Sequence, residues 1–240
     1  LAIRAAAGFK HVTLELGGNS AVIIEPDADL ETAVARSVVG AFANSGQVCI
    51  SVQRIYVHES VAEKFLESYV AATERLVIGH PFDESTDISS LITEKEAVRV
   101  EQWIKEAVSA GARLLTGGER TGATVKPAIL AGAGERLRVS CQEVFGPVVV
   151  VNRYRTLEEA IERVNDSIYG LQAGIFTRDL ERAFRTARRL EVGGVIINDV
   201  PTFRVDHMPY GGVKQSGTGR EGPKYAIEEM TELKLICWKV

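Results

Sequence analysis

Ala21-Val22-Ile23-Ile24, then Asp29-Leu30-Glu31-Thr32-Ala33-Val34, then Arg54-Ile55-Tyr56-Val57 is the stretch that decides the fold. The two outer pieces are short, β-branched and largely apolar, and the middle one opens an amphipathic segment running towards Ala43. That order reads as strand, crossover helix, strand, with both strands buried on two faces. The same grammar recurs along the chain, with further strand candidates at 12–16, 148–151, 173–176 and 194–197. Helix starts are marked by an acceptor that caps the third helical amide. Asp29 and Asp179 fit this role, as do Ser60 with Glu63, Thr93 with Glu96 and Thr156 with Glu159. After Thr156, the residues Leu157, Ala160, Ile161 and Val164 keep the spacing of one buried helical face. The pattern predicts an α/β fold: a mostly parallel sheet covered by helices on both faces. Leu233 to Val240 reads as a strand-like tail whose Trp238 needs a cover.

Composition narrows the function. The 240 residues, 45% apolar and 25% charged, are enough for a core of one or two domains. A formal net charge of −4, with both signs interleaved, offers no field for nucleic acid or an anionic membrane surface. No apolar run approaches the roughly 18 residues of a membrane helix. The three cysteines, Cys49, Cys141 and Cys237, are widely spaced without a C-x-x-C, which points away from a disulfide framework or zinc site and towards a reducing, cytoplasmic setting. His11, His58 and His80 have no ligand-spaced partners and read as structural or surface groups, so no metal is expected.

Two residues carry chemistry. Cys49 ends Asn44-Ser45-Gly46-Gln47-Val48-Cys49, and Glu15 precedes Leu16-Gly17-Gly18. A thiolate is the strongest side-chain nucleophile near neutral pH, and a carboxylate beside glycines can approach a ligand and activate water. Lying 34 positions apart, they meet only through the fold. Read from residue type alone, each has an ordinary alternative: a buried small hydrophobe for the cysteine, a solvated surface group for the glutamate.

Taken in order, Glu15-Leu16-Gly17-Gly18, Asn44 to Cys49, Gln142-Glu143-Val144-Phe145-Gly146-Pro147 and Pro209-Tyr210-Gly211-Gly212-Val213-Lys214-Gln215-Ser216-Gly217 resemble the aldehyde dehydrogenase superfamily. The resemblance implies that Cys49 attacks an aldehyde, that hydride passes to NAD or NADP, and that Glu15 activates the water releasing the acid. It implies that the Cys49 backbone N–H helps hold the oxyanion. It further implies that Glu143 and Phe145 contact the nicotinamide ribose and ring, with Leu16 and Gly17 beside the nicotinamide. Members of that family are about twice as long and begin with a dinucleotide-binding half. With Leu rather than Met at position 1, the chain is expected to be a fragment. The implied organisation is a remnant of the cofactor-binding domain at 1–17, a catalytic thiol domain at 18–222 and a C-terminal segment at 223–240 whose strand pairs with another subunit. A homo-oligomer is expected, and the isolated stretch is expected to be inactive as a dehydrogenase.

The loop Phe203-Arg204-Val205-Asp206-His207 corresponds to the family's substrate entrance. Arg204 and His207, with Phe203 beside them, suit an anionic aldehyde, unless Arg204 is spent on Asp206. Glu221 resembles a proton-relay carboxylate, with a salt bridge near Arg220 as the alternative. Gly217-Thr218-Gly219-Arg220-Glu221-Gly222 spells the dinucleotide fingerprint but lacks a firm preceding strand and is followed by Pro223, so a turn-rich loop is expected. Two other classes stay open on sequence: a cofactor-free thiol hydrolase, and a catalytically silent structural domain.

Overall fold

The computed structural model describes residues 2–240. Its centre is a seven-stranded sheet in the order Gly194–Ile197, Gln172–Phe176, Ser20–Ile24, Val52–His58, Val148–Tyr154, Ala128–Ala131, Arg113–Thr116. Every neighbouring pair is parallel except the last, where Arg113–Thr116 runs antiparallel to Ala128–Ala131. Five of the six expected strands lie in this sheet. The sixth, expected over 12–16, shrinks to Leu14–Glu15 and pairs with Gly217–Thr218 in a separate two-stranded ribbon.

Alternation along the strands sorts the core into two layers. Val22, Ile24, Ile55 and Val57 face the helices Leu30–Phe42 and Glu59–Thr73, while Ala21, Ile23 and Tyr56 face the helix Leu157–Asn165. On that second face, Leu130, Val148 and Val150 continue the core under the helix Glu94–Ser109. Each fully buried Val or Ile contributes about 1.5–3 kcal/mol, so the central strands anchor whatever their ends carry.

Asp29, Thr93, Thr156 and Asp179 cap their helices as expected, each accepting from the third helical amide. Ser60 does not. The helix begins at Glu59, two residues earlier than a Ser60 cap implies, and the His58 ring is the cap, accepting from Ser60 N at 3.3 Å while its other nitrogen meets Arg155 O at 3.1 Å. The expected C-terminal strand is absent from the single chain. Pro223–Glu229 is a short helix, and residues 231–240 form no strand because no backbone lies alongside to complete a ladder; Leu233, Leu235, Ile236 and Trp238 stand exposed. Among the described residues no helix is long and apolar enough to cross a membrane.

Candidate active site

Cys49 is delivered by a strained loop. The helix Leu30–Phe42 ends, and Asn44, Ser45 and Gly46 follow with φ of 51°, 56° and 71°. Non-glycine residues in this region cost about 1–3 kcal/mol each and persist only where neighbours hold them. Here Ser45 Oγ donates to Ser89 O and accepts from Ser89 N, both at 3.0 Å, and Gln47 Oε1 accepts from Ile92 N at 2.9 Å. The result is a partly buried thiol beside the small apolar cluster of Ile50, Leu171 and Tyr210. The Tyr210 hydroxyl lies 3.1 Å from Cys49 Sγ.

Glu15 arrives on the ribbon. Its pairing with Gly217, plus Leu16 N donating to Ser216 O at 3.1 Å, fixes the backbone. The glycines after it permit close passage: a side-chain carbon on Gly18 would lie 2.0 Å from the Cys49 carbonyl oxygen. The two segments therefore touch. Glu15's carboxylate sits against Gly211, next to Tyr210, since a carbon added there would come within 3.0 Å of Oε1. Both carboxylate oxygens are buried without a hydrogen-bond partner. Burial, then the charge of Glu221, pushes the Glu15 carboxyl up to about 7 against the pull of Arg204 and Arg220.

The fingerprint-like glycine segment thus serves as the strand that holds Glu15. Beyond it, Glu221 and Tyr210 exchange backbone bonds, Glu221 N to Tyr210 O at 2.6 Å and the reverse at 3.2 Å. Arg204 pairs with Glu221 at 2.7 Å rather than with Asp206, and its guanidinium lies over the Tyr210 ring at 4.2 Å. Phe203 and His207 are exposed on the same loop.

Glu143 and Phe145 come from the turn before Val148–Tyr154. Phe145 has φ of 49° and leaves 42% of its surface exposed. Glu143 Oε1 accepts from Gly18 N at 2.9 Å, and a side-chain carbon at Gly17 would meet Oε2 at 2.5 Å. Burial raises the Glu143 carboxyl, opposed by the Gly18 N–H and by Arg99. Two residues that the sequence reading missed clamp this turn. Gln53 Nε2 donates to Val139 O and Gln142 O while its Oε1 accepts from Val144 N, and Asn19 Nδ2 donates to Ser140 O and Gln142 O. Polar side chains at the starts of two buried strands were the available signal.

The arrangement brings together a partly buried thiol and a carboxylate whose protonated form is favoured, with an exposed aromatic ring and a second carboxylate on the adjoining turn. All three cysteines are free, and among the described residues no cluster of His, Cys, Asp or Glu forms a metal site.

Curated relatives include the 3-sulfolactaldehyde dehydrogenase of Priestia aryabhattai, 56% identical over 98% of this chain and 49% of its own length. The lactaldehyde dehydrogenase of Methanococcus aeolicus is 47% identical over 96% of this chain and 49% of its length. Among solved structures, an aldehyde dehydrogenase from Physcomitrella patens in complex with the reaction product succinate superposes with a TM-score of 0.94 at 45% identity, over 96% of this chain and 48% of that one. The glyceraldehyde-3-phosphate dehydrogenase of Methanocaldococcus jannaschii complexed with NADP gives 0.94 at 45%, over 97% and 51%. The chain spans about half the length of these relatives. The aldehyde dehydrogenase family profile matches residues 1–236, and the chain belongs to the aldehyde dehydrogenase family.

Proposed function

We propose that a protein carrying this chain oxidises an aldehyde to a carboxylic acid, with Cys49 as nucleophile and Glu15 as the base that releases the product. The observation carrying the reading is the convergence of a partly buried thiol with a buried, unpartnered carboxylate raised to about 7. A base poised near neutrality is matched to taking a proton from water. The Cys49 sulfur bonds to the aldehyde carbon, and the carbonyl oxygen becomes an oxyanion that the Cys49 backbone N–H stabilises. Departure of hydride leaves a thioester. Water, losing its proton to Glu15, adds to that thioester; the C–S bond breaks, returning the thiolate and freeing the acid. Glu221, whose charge Glu15 feels, is placed to pass the proton onward.

A nicotinamide dinucleotide, NAD or NADP, supplies the hydride acceptor when bound. The residues fit one end of such a group. Phe145 offers an exposed ring, Leu16 an exposed apolar side chain and Glu143 an acceptor for ribose hydroxyls, while Gly17, lacking a side chain, lets the Glu143 carboxylate lie against it.

An anionic aldehyde is the favoured substrate class. Arg204 engages Glu221 through Nη2, and a guanidinium has further donors for a carboxylate, sulfonate or phosphate, with His207 on the same loop. The names of the relatives, 3-sulfolactaldehyde dehydrogenase and glyceraldehyde-3-phosphate dehydrogenase among them, support this class. The bare apolar tail at 233–240 supports a homo-oligomer in which another copy covers it, and three free cysteines accord with the cytoplasm.

The test uses a protein that unites this chain with the cofactor-binding half its relatives possess, assayed for reduction of NAD and NADP. Cys49→Ala abolishes activity on every aldehyde. Arg204→Ala lowers kcat/KM for lactaldehyde-type substrates bearing a sulfonate or phosphate about 10–100-fold more than it does for neutral aldehydes, the worth of one charge-assisted hydrogen bond. A flat profile untouched by Arg204→Ala removes the anionic class, and undiminished turnover in Cys49→Ala removes the enzyme reading.

A further inference from the structure

Tyr210 has a place at the reacting atom that neither the thiol nor the carboxylate explains. Its hydroxyl is 3.1 Å from Cys49 Sγ, across 161 positions of sequence. The ring is 3% exposed and fixed from three sides: packing with Ile50 and Leu171, the Arg204 guanidinium above it, and the two backbone bonds to Glu221. A hydroxyl held this firmly against a sulfur is a preorganised donor.

We infer that Tyr210 is a catalytic residue, a fixed hydrogen-bond donor to the Cys49 thiolate that keeps the sulfur anionic and aimed before attack. The inference rests on the reading of Cys49 as nucleophile. When the thiol is protonated either partner can donate, but once it ionises only the tyrosine has a hydrogen to give. The bond is therefore strongest in the reactive state, where its acceptor is charged. No proton changes hands, and Tyr210 stays a phenol throughout. The groups facing it agree with that role. Burial first, then the Cys49 hydrogen bond and charge and the charge of Glu15, push the phenol well above the ordinary tyrosine range, outweighing the pull of Arg204. Across the working pH range it remains a donor.

This differs from a packing role, which phenylalanine would fill equally well. Tyr210→Phe keeps the ring, the cation contact and the backbone pair and removes only the oxygen.

The experiment measures alkylation of Cys49 by iodoacetamide in the full chain, followed on its own peptide by mass spectrometry, with Cys237, whose surroundings Tyr210 does not touch, as internal reference. At pH 7, Tyr210→Phe slows Cys49 about tenfold, the consequence of losing a bond to a charged group, while Cys237 is unchanged. At pH 10, where ionisation no longer limits, the two proteins react alike. The ultraviolet thiolate absorbance that disappears on alkylation at pH 7 is correspondingly smaller in the variant. Replacing Tyr210 with 3-fluorotyrosine, a stronger donor of nearly the same volume, raises the pH 7 rate above that of the parent. Equal rates at pH 7 in parent and Tyr210→Phe, with an unchanged melting temperature, overturn the inference. Because the readout needs neither aldehyde nor dinucleotide, its failure is distinguishable from failure of the dehydrogenase reading, which Cys49→Ala tests separately.

Discussion

Replacing Glu15 with Gln removes a charge and a base at one point, and the structure sets the size of both effects. In the folded chain the carboxyl keeps its proton up to about pH 7, against an ordinary value of 4.5. Such a group's contribution to stability is whole below pH 4.5 and is lost as the pH climbs through 7, because ionising it leaves a buried charge whose oxygens have no partner. At about 1.36 kcal/mol per pH unit the full loss is about 3.4 kcal/mol; solvent around a residue that is only partly buried screens this to about 1–2 kcal/mol. Glu15→Gln is accordingly more stable than the parent by about 1–2 kcal/mol at pH 9 and equal to it at pH 4, read from urea unfolding at both pH values. The kinetic consequence has the opposite sign. With an activated ester as acyl donor, the parent shows a deacylation rate that rises with pH and reaches half its plateau near pH 7. Glu15→Gln deacylates about 100-fold more slowly or worse, the usual contribution of a general base, while the initial burst from Cys49 remains. A variant that hydrolyses its acyl-enzyme at the parent's rate, or that is less stable than the parent at pH 9, refutes the assignment of Glu15 as a buried base.

Other substitutions probe the scaffold. Gly18→Ala puts a carbon 2.0 Å from the Cys49 carbonyl oxygen, so backbone must move; a loss of about 3 kcal/mol in urea unfolding and a sharp fall in Cys49 alkylation are expected, and a neutral result denies the contact. Gln53→Ala strips partners from Val144 N, Val139 O and Gln142 O and costs about 2–4 kcal/mol by denaturant midpoint. Phe145→Gly relieves a left-handed backbone, leaving the melting temperature equal or higher, yet raises the KM for the nicotinamide cofactor about tenfold or more through loss of the exposed ring.

Local chemistry explains which features were legible in the sequence. Strands such as Ser20–Ile24 and Val148–Tyr154 are buried on both faces over their apolar stretches, Ala21 to Ile24 and Val148 to Val151, which is what a run of Val and Ile announces. Ala128–Ala131 is just as buried but is short, half alanine and follows a proline; its partner Arg113–Thr116 lies at the sheet edge with none of its residues fully buried. Neither carries a β-branched signature. The Ser60 cap failed because an imidazole nitrogen one position before the helix does the same work, and residue-type rules do not rank it. At the proposed site, Glu15, Cys49, Glu143 and Phe145 could be singled out from sequence because each sits in a contiguous motif. Tyr210, Gln53 and Asn19 act on partners 161, 91 and 123 positions away, and no window of sequence holds both ends of such a bond. For Arg204 the sequence left a choice between substrate and Asp206; the backbone bridge between Tyr210 and Glu221 brings Glu221 within its reach instead.

The central claim is that Cys49 carries the acyl group. Glu15→Gln, in a protein uniting this chain with a cofactor-binding half, is mixed with aldehyde and dinucleotide, quenched in acid and digested for mass spectrometry. The account predicts a single acyl adduct on the peptide containing Cys49, and none on those containing Cys141 or Cys237. Acid product formed while Cys49 stays unmodified, or an adduct on either other cysteine, contradicts it.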